Sequence, residues 1–155
     1  LNIAEEQSEG FRNNFFEAYP RLLPWHEECK EYARKNGHTW SPIGRKRFLP
    51  DINSSNWSNR GQAERQSVNS GVQGFASDMC ISALSDIVFS DIIDHERCKV
   101  LGSVHDAILF EIRDDYVEEV VPIVKEMMEH PSIIDGIDIP IPIIADVEVH
   151  QAWGG

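Results

Sequence analysis

Apolar residues at helical spacing open the chain: Phe11, Phe15, Phe16 and Tyr19 fall on one stripe, with Glu5, Glu6 and Glu9 in the early turns where the helix dipole favours negative charge. The spacing predicts a helix over residues 4–19, beginning at Ala4 and stopped by Pro20. A second helix is predicted over 22–35, with Leu23, Cys29, Tyr32 and Ala33 as its apolar stripe and Asn36-Gly37 as the stop. Thr39-Trp40-Ser41 and Arg47-Phe48-Leu49 then flank Pro42-Ile43-Gly44, the pattern of a hairpin whose tip carries Arg45, Lys46 and Arg47. Residues 51–59 are rich in Asn and Ser and read as loop. A long helix is expected over 60–90, with a possible break at Ser70-Gly71, and Met79, Ile81, Leu84, Ile87 and Val88 supply its core face. Two apolar strands, 100–104 and 107–112, meet at His105-Asp106, followed by a helix over 116–129 and a last strand over 143–149. Strands mixed with helices, one pair tightly joined, predict an α+β fold with an antiparallel sheet covered on one side by helices.

The chain's 155 residues, 41% of them hydrophobic, suffice for about one domain with a real core. Three cysteines, Cys29, Cys80 and Cys98, show neither CxxC spacing nor an even count, which disfavours a disulfide scaffold or a zinc knuckle. No apolar run reaches the roughly 18 residues of a spanning helix, so a soluble protein with no membrane partner is expected.

A net charge of −12 argues on its face against a nucleic-acid partner, because phosphate binding needs Lys and Arg to displace counterions. The distribution changes the picture. Residues 1–75 hold ten Lys and Arg against nine Asp and Glu, whereas residues 76–155 hold four against seventeen. The first half can face an anion; the carboxylates of the second form either a solvated surface or part of a site for a hard divalent cation.

Arg65, Asn69 and Gln73 are spaced four and four, which puts three hydrogen-bond donors on one helix face. Every Watson–Crick pair offers acceptors at purine N3 and pyrimidine O2 in the minor groove, so such a row could hold any paired duplex without reading its sequence. A plain solvated face is the other reading. At His105-Asp106, two polar residues between apolar strands must occupy a turn, where a carboxylate is held rigidly and could serve a hard cation such as Mg²⁺. Asp is also a common turn residue, and His105 could be a strand-edge histidine bonded to backbone. A metal-dependent hydrolase built on this pair lacks further ligands at metal spacing, since His26, His38, His95, His130 and His150 are scattered.

Taken in order, Ile43-Gly44-Arg45-Lys46-Arg47-Phe48-Leu49-Pro50-Asp51-Ile52-Asn53-Ser54-Ser55-Asn56, Arg60, Ala63-Glu64-Arg65, Asn69, Val72-Gln73-Gly74 with Ala76 and Asp78, and Val104-His105-Asp106 resemble the C-terminal part of the polymerase domain of family A DNA polymerases. The resemblance extends over nearly the whole chain, to Trp153-Gly154. It implies that residues 1–36 are the last fingers helices and residues 37–155 the palm, with a catalytic hairpin near 100–112. It also implies that Asp106 is one of two metal-binding aspartates of a two-Mg²⁺ nucleotidyl-transfer site, and that His105 lies beside the primer terminus. Arg65, Asn69 and Gln73 match positions that contact the primer–template minor groove, the same residues that spacing singled out, while Arg60, Arg45 and Arg47 fall near DNA. Two departures stand out: Ala107 replaces the usual Glu after the aspartate, and Gly71 stands where the family often has Pro. The other aspartate and the helix that grips the deoxynucleoside triphosphate precede the matching segment in the family. The expectation is therefore one fragment of a polymerase, a product of cleavage, an engineered piece or a naturally split subunit, that works with an N-terminal polypeptide, in the cytoplasm of a bacterial or phage-infected cell or in an organelle. The rival expectation is a non-catalytic DNA-binding or scaffold piece of a decayed polymerase.

Overall fold

In the computed structural model, residues 5–152 are described; Ala4, at the head of the first predicted helix, and the Trp153-Gly154 ending lie outside the described residues. Pro20 follows α1 (Glu5–Ala18), and α2 (Leu22–Asn36) ends at Gly37, whose φ of 73° lets its N–H reach the Ala33 carbonyl at 2.8 Å. That left-handed cap is the job Gly does at low cost. The stripe expected of α2 is only partly used: Ala33 is buried, whereas Leu23 and Tyr32 are exposed.

β1 (His38–Trp40) and β2 (Lys46–Phe48) form the antiparallel hairpin, registered His38 to Phe48, Thr39 to Arg47 and Trp40 to Lys46. Both strands start one residue earlier than the sequence indicated. Gly44 turns the chain at φ 82°, and Lys46 and Arg47 belong to β2 rather than to the tip, leaving Arg45 in the loop. Asn56 then starts α3 (Trp57–Val88), because its side-chain oxygen accepts from the N–H groups of Ser58 at 2.9 Å and Asn59 at 3.4 Å. Residues 57–59, expected as loop, are therefore helical. Nor does α3 break at Ser70-Gly71. Ser70 is buried with its hydroxyl donating to the Gln66 carbonyl at 2.6 Å, and packing of Ser67 and Val68 outweighs the roughly 1 kcal/mol intrinsic cost of Gly71.

The chain divides into two compact units within α3, after Gln73. In the first, Ala33, Leu49, Ile52 and Ala63 make a small core. Thr39 donates to the Ser67 carbonyl at 3.2 Å from the buried face of the hairpin, and Arg34 pairs with Glu64 at 2.7 Å. The Glu64 hydrogen bond pushes the Arg34 guanidinium further up from its ordinary value.

In the second unit, β3 (Cys98–Val104) and β4 (Ala107–Ile112) pair antiparallel, with an irregularity between Val100 and Gly102 that leaves Leu101 opposite no partner. A 3₁₀ turn (Asp114–Tyr116) leads into α4 (Val117–Glu129). Ile87, Ile93, Cys98, Tyr116, Val120 and Val124 form the core, joined by partly buried Val100, Ile108, Phe110 and Ile112 from the hairpin. Of the residues expected from α3, Ile87 is buried, Met79 and Leu84 are half-buried, and Ile81 and Val88 are exposed. Tyr116 accepts a hydrogen bond from the Asp94 N–H at 3.1 Å, and the Arg97 guanidinium sits 3.9 Å above its ring while Arg97 donates to Asp94 at 2.6 Å.

Mixed helices and antiparallel pairing are as predicted, but as two separate two-stranded sheets rather than one. Residues 143–149 form no strand. Their alternation is strand-like, yet Pro140 and Pro142 remove donors just before them and no strand among the described residues lies alongside; Ala145 is instead tied by its N–H to the Glu129 carboxylate at 2.9 Å.

That bond, with Lys125 and His130 adding charge, holds the Glu129 carboxyl below its ordinary value, and the Arg97 hydrogen bond does the same for Asp94. A depressed carboxyl contributes stability above its unfolded value that is lost as pH falls through the folded one. Thermal melts between about pH 5 and about pH 3 should therefore show falling stability. Glu129→Gln should flatten that slope, and an unchanged slope in the variant removes Glu129 as a contributor.

Candidate functional site

Arg65, Asn69 and Gln73 follow one another up a single exposed face of α3, each reaching solvent, while Ala63, Ser67 and Ser70 turn inward. Near the start of the same helix, Arg60 donates to the Ser54 carbonyl at 3.2 Å, which ties the loop before α3 to its first turn. Arg47 donates to the Ser70 hydroxyl at 3.2 Å across the inner face of the first hairpin. Arg45 is exposed, and its carbonyl accepts from the Ser41 N–H at 2.9 Å. These six candidates all belong to the first unit, and α3 brings three of them onto one line.

His105 and Asp106 belong to the second unit. They are the whole loop between Val104 and Ala107, which pair as the last rung of β3 and β4. His105 has φ 57°, a conformation that costs a non-glycine residue roughly 1–2 kcal/mol and that follows the twist of a tight hairpin. Both side chains are exposed. Beneath the turn lies a residue that the sequence did not single out: the Cys80 thiol of α3 donates to the Asp106 carbonyl at 3.6 Å. Burial first, and the Asp106 charge second, push that thiol up from its ordinary value, so it is a protonated donor rather than a nucleophile.

Among the described residues, no three His, Cys, Asp or Glu side chains gather as a metal site. Asp106 offers one exposed, hard oxygen donor, and Ala107 beside it offers none. That donor set fits a single ligand position of a shared magnesium site, since magnesium takes one or two carboxylates and fills its shell with water and phosphate oxygens. It does not make a complete site.

The first unit also holds an apolar cleft of about 600 Å³ between α1 and α2, lined by Phe15, Tyr19, Pro20, Leu22 and Trp25. It gathers no catalytic side chain.

An exposed row of amide and guanidinium donors on one helix, and a carboxylate at the tip of a β-hairpin, are the polar features this α+β protein presents. The model of DNA polymerase family A matches residues 1–155, and the chain belongs to that family. It is 31% identical over 153 residues to DNA polymerase I of Streptococcus pneumoniae serotype 4, and 32% identical over 158 residues to the thermostable DNA polymerase I of Thermus filiformis. In each case 99% of this chain is covered, against 17% and 18% of those relatives. The POL domain of Pol1 from M. smegmatis, solved with DNA primer-template and dNTP, superposes with a TM-score of 0.74 at 31% identity, covering 82% of this chain and 22% of that one. No helix among the described residues is long and apolar enough to cross a membrane.

Proposed function

We propose that the chain forms part of a DNA-directed DNA polymerase that performs template-directed nucleotidyl transfer. The observation that carries the reading is the exposed line of Arg65, Asn69 and Gln73 on α3, in a chain whose whole length belongs to DNA polymerase family A. In this reading residues 1–36 belong to the fingers and residues 37–155 to the palm. The α3 donors hold the minor groove of the primer–template near its growing end, taking acceptors common to all correct pairs. Arg60, Arg45 and Arg47 add positive charge near the phosphates. His105 stands beside the primer terminus, its ring oriented by the strained turn, and Asp106 presents its carboxylate where the reacting phosphate must lie.

Family A polymerases are generally metal dependent. Magnesium supplies, when bound, the positive charge that steadies the attacking and leaving oxygens of a phosphoryl displacement. Asp106 would hold it from this chain. As no three ligand side chains gather among the described residues, in this reading the remaining ligands and the grip on the deoxynucleoside triphosphate come from other parts of the polymerase; the 155 residues span under a fifth of the curated relatives. Catalysis is therefore a property of the assembly with an N-terminal polymerase segment.

The test is primer extension by that assembly on matched and mismatched primers. Arg65→Ala, Asn69→Ala and Gln73→Ala should each weaken use of a matched primer, by about 1–3 kcal/mol for each lost hydrogen bond, with little dependence on sequence. Variants that extend both primers like the parent remove α3 from the DNA contact. Robust magnesium-dependent extension by the 155 residues alone overturns the shared site.

A further inference from the structure

The two faces of the first hairpin differ in kind. Thr39 and Arg47, opposite each other in register, turn inward to Ser67 and Ser70 of α3. The alternate positions, His38 opposite Phe48 and Trp40 opposite Lys46, therefore share the outer face, as the period of two requires. Tyr32 of α2 joins them. Its ring lies 5.7 Å from His38 and 6.3 Å from Trp40, and His38 lies 5.9 Å from Phe48, so the four rings form one connected set. None of the three contacts is a parallel stack: the rings meet at 90°, 66° and 54°.

These rings are not a core. Phe48 is 75% exposed, Trp40 50% and Tyr32 39%. Two cations accompany them, Lys46 on the same outer face of β2 and Arg45 in the loop before it, and both are exposed. Large aromatics left in water next to a run of positive charge are the two components of a surface for unpaired nucleic acid. Bases stack on rings regardless of sequence, and phosphates follow the cations. A purely apolar protein partner would have to desolvate the same cations without return. Paired bases are already stacked in the duplex and leave the rings nothing to take, which selects a single strand.

We propose that the outer face of the β1–β2 hairpin, with Tyr32, is a docking surface for single-stranded DNA, binding unpaired bases on Trp40 and Phe48 and their phosphates on Lys46 and its neighbours. The choice of DNA rests on the polymerase reading; the face itself includes none of Arg65, Asn69 and Gln73 and neither His105 nor Asp106.

The experiment measures fluorescence anisotropy of a labelled oligothymidylate of about 20 nucleotides, and of a blunt duplex of equal length, with the 155-residue chain at low salt. Trp40→Ala and Phe48→Ala change exposed positions, and circular dichroism melts check that each variant folds. Each should weaken oligothymidylate binding about five-fold or more, and the pair by about 25-fold, with duplex binding unchanged. Lys46→Ala should reduce the salt dependence of single-strand binding. A parent that binds duplex but not oligothymidylate, or a double variant that binds oligothymidylate like the parent, overturns the proposal and leaves the polymerase reading standing. A parent that binds neither also overturns the proposal, while the polymerase reading stands or falls on primer extension by the assembly. If the double variant instead abolishes a self-association seen by sedimentation, the face is a protein interface and the proposal falls.

Discussion

Replacing Asp106 with Asn should leave a folded protein that still holds DNA, while primer extension by the assembled polymerase drops by several orders of magnitude. The substitution keeps size and hydrogen-bonding capacity and removes only the charge. Asp106 is exposed at a two-residue turn whose fold depends on the rung from Val104 to Ala107 and on the Cys80 thiol beneath the Asp106 carbonyl, none of which uses the carboxylate. Losing one oxyanion donor in other enzymes lowers turnover by about 10² to 10³, and a ligand that holds a catalytic cation carries more. Ala107→Glu supplies the contrast, since restoring an auxiliary carboxylate next door should alter the rate modestly. Single-turnover extension at saturating magnesium, with melting curves alongside, measures both variants. Near-normal turnover by Asp106→Asn would take this residue out of the mechanism and favour a non-catalytic scaffold.

The largest expected effect on stability is Tyr116→Ala, at about 3–5 kcal/mol, as for other large aromatics deleted from a core. Tyr116 is 1% exposed, and its removal also strands the Asp94 N–H and takes the ring from beneath Arg97. For a chain of this length the melting temperature should fall by roughly 10 °C. Tyr116→Phe keeps the ring and should cost only about 1–3 kcal/mol, the penalty of one unsatisfied buried donor. If the two variants melt alike, the hydroxyl rather than the packing holds this corner together.

The helices were legible because their signals are local. Pro20 and Gly37 act within a turn or two of where they stand. The β3–β4 hairpin was legible for the same reason, its two polar residues lying between apolar runs. What escaped depended on partners distant in sequence. The alternation of residues 143–149 says how a strand would present its side chains but not whether a sheet edge is there to receive it. Asn56 appeared as one more residue of a polar loop, although its role as a cap was available from its type and position before Trp57. Cys80 under Asp106, twenty-six residues away, left no trace in the pattern. The outer aromatic face could have been found by reading His38, Trp40 and Phe48 with a period of two across the turn, once the register was fixed.

The unpaired stretch after Pro142 has a bearing on how the protein keeps from self-assembling. Ile144, Val147 and Val149 are exposed in a stretch without a ladder, and apolar residues of high strand preference left unpaired are where edge-to-edge aggregation starts. Asp146 and Glu148 alternate with them, so copies stacking in register would bring like charges together: the carboxylates act as gatekeepers. Their protection is electrostatic and is screened by salt, which makes high ionic strength the condition under which this segment would recruit its own kind.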